Sequence, residues 1–87
     1  MDRKRITKRY LLVTTKGILP THIVFQTNLP MEIIFKLHAM EDEFRWPAGM
    51  GASMIDLQDK KRCDIMQDQF VGYHTLEPKL IEDLLIL

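Results

Sequence analysis

Residues capable of acid–base, nucleophilic or metal-binding chemistry are few in this chain and scattered along it. Its 87 residues contain three histidines and one cysteine. His22, His38 and His74 fall on three separate stretches, with no H-x-x-x-H or H-E-x-x-H spacing. A shared metal ion therefore needs all three to converge through folding. Cys63 lies between Arg62 and Asp64. The neighbouring acid disfavours a thiolate, so this cysteine reads as a buried structural residue rather than a nucleophile. A single cysteine also excludes an internal disulfide and a cysteine-based zinc site, and makes a reducing, cytoplasmic compartment the expectation. Carboxylates are plentiful at Asp56, Asp59, Asp64 and Asp68 and in Glu41-Asp42-Glu43. Divalent-metal chemistry needs such groups held together on a rigid site, whereas acids on polar faces are ordinarily solvated. Gly49-Met50-Gly51 is only G-x-G with no strand immediately before it, so it reads as a linker and not as a phosphate loop. No nucleophile-elbow, Walker, EF-hand or zinc-ribbon pattern occurs. The expectation is a protein with no enzymatic activity, no cofactor and no metal.

Charge is balanced in total but not in position. Arg3, Lys4, Arg5, Lys8, Arg9 and Lys16 face only Asp2 in residues 1–17, a net of +5, and the remainder of the chain carries −5. Arg3, Lys4, Arg5, Lys8 and Arg9 form a KR-x-x-KR pattern that could neutralise phosphates, making nucleic-acid binding the alternative function. Against it stand the acidic body and the lack of an RNP-like or helix-turn-helix pattern. The bland reading of residues 1–8 is a flexible, solvated basic arm.

These candidates sit on a chain that makes one domain, with no room for a second core. The longest apolar runs are about five residues, too short for a helix to span a membrane. The start is basic but lacks the apolar core of a secretory signal, and the sequence reads as a complete small protein. A domain of this size gains stability from self-association or a partner.

The clearest element is Asn28–Trp46. Asn28 can cap a helix and Pro30 fits its first turn. Ile33, Leu37, Met40 and Phe44, with Ile34 at the edge, make the expected core stripe. Glu32 with Lys36 and Glu41 with Arg45 are expected i,i+4 pairs. Met31, Phe35, Ala39 and Trp46 fall on the opposite side, interrupted by His38 and Asp42. Either another layer of the chain covers them or a partner does. Pro47 and Gly49 stop the helix.

Before it, Arg9–Thr15 and Ile18–Gln26 read as a β-hairpin turning at Lys16-Gly17, with Pro20 marking an edge or a bulge. In the return strand, simple alternation puts Ile23 and Phe25 on one face and His22 and Val24 on the other. Ser53–Gln69 is ambiguous. The polar QDKKR run at 58–62 favours a second hairpin turning at Asp59–Lys61, and a helix is the runner-up. Phe70–Tyr73 reads as a short strand or an apolar corner. Thr75–Leu87 reads as a short C-terminal helix with Leu80, Ile81, Leu84, Leu85 and Leu87 on one face. Such a helix must dock, on its own fold, a second subunit or a partner groove.

The fold expected is α+β: a small antiparallel sheet built from a hairpin, a central helix, a second hairpin or mixed segment, and a short C-terminal helix. The function expected is protein–protein interaction, as an inhibitor, adaptor or regulatory subunit, through Phe35, Asp42, Trp46, Leu84, Leu85 and Leu87.

Overall fold

A computed structural model describes residues 6–17 and 19–75. Five strands and one helix follow in the order β1 (Tyr10–Lys16), β2 (Leu19–Thr27), α1 (Pro30–Asp42), β3 (Gly51–Asp56), β4 (Lys61–Met66) and β5 (Gln69–Thr75). They form one antiparallel sheet in the order β2-β1-β3-β4-β5, with α1 across one face: a small α+β fold. Residues 53–69 thus hold strands where a helix was the runner-up. The C-terminal helix expected over Thr75–Leu87 lies outside the described residues, apart from Thr75 itself, which closes β5.

Pairing fixes which side chains meet the helix. Leu12 lies opposite Phe25 and Met54, and Met54 lies opposite Cys63. Leu12, Met54 and Cys63 form one cluster with Ile33 and Leu37 of α1, bordered by Tyr10, Val24, Phe25, Trp46, Ala52, Ile65 and Phe70. The other face carries Leu11, Val13, Ile23 and Ile55. Ile23 and Phe25 therefore belong to opposite faces, correcting the simple alternation. The pairing shifts between Leu12 and Val13, leaving Val24 as an extra residue in β2. One inserted residue reverses the face of everything after it. A second shift lies between Thr14 and Thr15. Threonine hydroxyls serve the backbone there: Thr14 Oγ1 accepts from His22 N (3.1 Å), and Thr21 Oγ1 donates to Thr14 O (3.2 Å). Pro20, which lacks an N–H, falls on this edge strand, where the ladder tolerates it.

The helix is shorter than its sequence pattern. Its N-cap is Leu29, with no side-chain cap bond, and Pro30 opens the first turn. Asn28 is not the cap: its Oδ1 accepts from Arg9 N (3.0 Å), tying the helix approach to β1. Thr27 Oγ1 accepts from Leu29 N instead (3.1 Å). At the other end Glu43 caps the helix and Phe44 turns left-handed, with φ of 55°. Phe44 N donates to Glu41 O (3.1 Å) and Arg45 N to Met40 O (2.8 Å). Those two bonds define a Schellman ending. Phe44 therefore leaves the expected core stripe, and Arg45 pairs with Glu43 rather than Glu41.

Candidate functional site

The reactive residues stay apart. His22 lies on β2, His38 on α1 and His74 on β5. Among the described residues no group of three or more His, Cys, Asp or Glu side chains could hold a metal ion. Cys63 is buried, and its thiol faces Met54 O at 3.9 Å. Burial, reinforced by the charges of Asp64 and Asp56, pushes it up to about 11. At neutral pH it is a thiol packed in the core, not a nucleophile.

Arg9 is occupied at the end of the sheet. Its Nε and Nη2 donate to the two oxygens of Asp56 (2.9 and 3.0 Å), and Nη2 also reaches Asp59 (3.2 Å). Its guanidinium lies 4.8 Å from the centre of the Tyr10 ring. This two-pronged bond holds the Asp56 carboxyl below the usual range against the opposing effect of burial, helped by the backbone N–H groups of Asp59 and Gln58. The preceding residues are also fastened. Gln26 Oε1 accepts from Thr7 N (2.7 Å) and Lys8 N (3.1 Å), while Ile6 packs on the face opposite α1. Arg3, Lys4 and Arg5 lie outside the described residues, leaving Lys8 as the exposed cation of the basic set.

The outward side of α1 has a different character. Phe35 is 65% exposed and Met31, one turn earlier, 59%. Asp42 ends the helix, exposed beside Glu41 and Glu43. Phe44 is 94% exposed in a left-handed conformation that costs a non-glycine residue about 1–2 kcal/mol. That position is ordinarily glycine. An exposed aromatic ring on a strained backbone is a combination that folding does not require, and such strain collects at functional sites. By strand alternation Tyr73, also exposed, shares the helix-bearing side, because its neighbour His74 pairs with Arg62 on the other.

Trp46 is turned the other way. It borders the helix-side cluster, and its Nε1 donates to Met50 O (3.0 Å), bracing the 47–50 turn. Because the helix stops at Asp42, a helical projection does not describe Trp46. The structure thus brings Phe35 and Asp42 together on one exposed side and places Trp46 in the packing beneath; Leu84, Leu85 and Leu87 lie outside the described residues. Phe44, expected in the core stripe, is instead exposed beyond the helix end. The signal was present in Glu41-Asp42-Glu43, since three acids at a C-terminus oppose the helix dipole and favour a stop there.

One further contact fixes this side. His38 Nε2 lies 2.6 Å from Asp68 Oδ1, joining α1 to the β4–β5 turn. Gln67 and Asp68 make that turn with φ of 50° and 65°, without glycine. Comparison with protein-family models, curated proteins and solved structures finds no match, so the functional reading rests on this geometry alone.

Proposed function

We propose that this chain is a small non-enzymatic binding protein, an inhibitor, adaptor or regulatory subunit. It docks a partner segment on the outward side of α1 through Met31, Phe35 and Phe44, with Glu41, Asp42 and Glu43 at one end. The observation that carries this reading is Phe44, fully presented to solvent at a backbone position where glycine would be less strained. Aromatic anchors provide most of the energy of small interfaces, and the acids select for a partner that is basic as well as apolar. A cytoplasmic setting belongs to the same reading. No helix among the described residues is long and apolar enough to cross a membrane. Nucleic-acid binding through the basic arm is weaker, since the guanidinium of Arg9 is taken by Asp56 and Asp59.

The test is co-purification from native lysate with and without nuclease, using wild type, Phe35→Ala and Phe44→Gly. Expected is one partner that survives nuclease, is lost from both variants and weakens with salt. Bound material removed by nuclease and insensitive to both substitutions would overturn the reading in favour of the arm.

A further inference from the structure

The outward side of α1 has a shape and a charge pattern that a two-fold axis matches to itself. Met31, Phe35 and Ala39 follow one another at i, i+4 spacing and make one stripe along the helix. Met31 and Phe35 are large and exposed, whereas Ala39 is small and half-buried. The stripe is therefore raised over the first half of the helix and lowered over the second. Exposed apolar side chains continue past both ends, as Leu29 before α1 and Phe44 after it. Charge divides in the same way. The C-terminal end carries Glu41, Asp42 and Glu43 with no basic residue in the last turn, which opposes the helix dipole. The N-terminal end starts at Leu29 with no side-chain cap. Each end lacks what the other would supply.

We propose that a second copy of this chain docks on this side, its α1 antiparallel to the first across a two-fold axis. The inference rests on reading this side as an interface, and it names the occupant. A register centred on Leu37 places Phe35 of each copy over Ala39 of the other, so that the raised half of each helix fills the lowered half of its mate. The small side chain of Ala39 lets the axes approach to about 8 Å, the close end of the range for packed helices. By the same count Glu43 comes to Met31 and Phe44 to Pro30. Asp42 and Glu43 of one copy then lie at the positive first turn of the other. Glu32 in that turn opposes them, but it lies about 60° round the helix from Phe35. The contact is isologous, so it closes as a dimer. A different partner binds by displacing the second copy, which makes self-pairing the regulator of this site.

The experiment is sedimentation equilibrium of the full chain over a wide concentration range, together with disulfide trapping. Wild type should be a concentration-dependent dimer, and Phe35→Glu a monomer whose fold is checked by circular dichroism. The triple variant Glu41→Gln, Asp42→Asn, Glu43→Gln should weaken the dimer roughly 3- to 30-fold, since each copy loses one acidic end. Under mild oxidation, Phe35→Cys protein mixed with Ala39→Cys protein should cross-link faster than either alone, because Cys63 is buried. Faster cross-linking of Phe35→Cys to itself would mean parallel helices and overturn the proposal, as would a dimer untouched by Phe35→Glu. A wild type monomeric throughout would overturn it too. Partner capture by Phe35→Ala and Phe44→Gly is read separately, so a monomeric wild type that still captures a partner sinks self-pairing and leaves the binding reading standing.

Discussion

Replacing Phe44 by glycine should stabilise the fold while weakening its interaction, a separation that few surface substitutions produce. Phe44 has φ of 55° and a ring 94% exposed, so glycine loses little packing and relieves the left-handed strain. The relief is about 1–2 kcal/mol. Glycine's greater freedom in the unfolded chain returns about 0.5–1 kcal/mol. A net gain of about 0–1.5 kcal/mol remains, worth up to roughly 12 °C in a domain of this size. Urea unfolding followed by the fluorescence of Trp46, the single tryptophan, reads this directly. The midpoint should rise with an unchanged slope. Phe44→Ala is the control, because it removes the ring but retains the strain and should give no comparable gain. A Phe44→Gly protein less stable than wild type by 1 kcal/mol or more would show that the ring is packed, and would refute the argument. Loss of partner capture by this more stable variant completes the prediction.

Other substitutions test the structural supports. A Cβ at Gly51 would lie 2.6 Å from Thr15 Oγ1, itself buried, so Gly51→Ala should cost about 1–3 kcal/mol. Thr15→Ala in the same chain should recover part of that loss in a double-mutant cycle, and simple additivity would exclude the clash. Asp56 is held below its ordinary value by Arg9, so its contribution is complete above the unfolded carboxylate value of about 3.9. That contribution disappears as pH falls through the lowered folded value. Asp56→Asn should therefore destabilise the protein at pH 7 and flatten this part of the acid limb, measured by urea midpoints at several pH values. Cys63, buried and pushed up to about 11, should resist a thiol reagent at pH 8 and react only as fast as the protein opens. Rapid labelling of the native protein would place the thiol at the surface.

The sequence announced the alternation between strands and one helix more clearly than it announced their limits. The hairpin before α1 was legible in Arg9–Thr15 and in Pro20, and the second hairpin in the polar run around Asp59. Leu57 N bonds to Arg9 O and Asp56 accepts the next two N–H groups, so the β3–β4 turn depends on a strand far away in sequence. The bulge at Val24 left no mark in the alternation of apolar residues, because either phase presents a large side chain to each face. Asn28 had the composition of a cap but was taken by Arg9, a tertiary contact that outweighed a local preference. Helical projection carried Phe44 and Trp46 past the actual helix end, exchanging their roles: Phe44 is outside and Trp46 is packed. Of the interaction residues expected, Phe35 and Asp42 occupy the outward side of α1, as the periodicity required.

The proposed partner meets the chain at this side of α1. A photo-crosslinking phenylalanine analogue placed singly at Phe35, Phe44 or Leu19, in the cells that make the protein, tests it most directly. Leu19 is equally a large exposed apolar residue, but on edge strand β2. One protein adduct shared by positions 35 and 44 is expected, missing at position 19 and abolished by reversing the charges of Glu41, Asp42 and Glu43. Adducts at position 19 with none at 35 or 44 would contradict it.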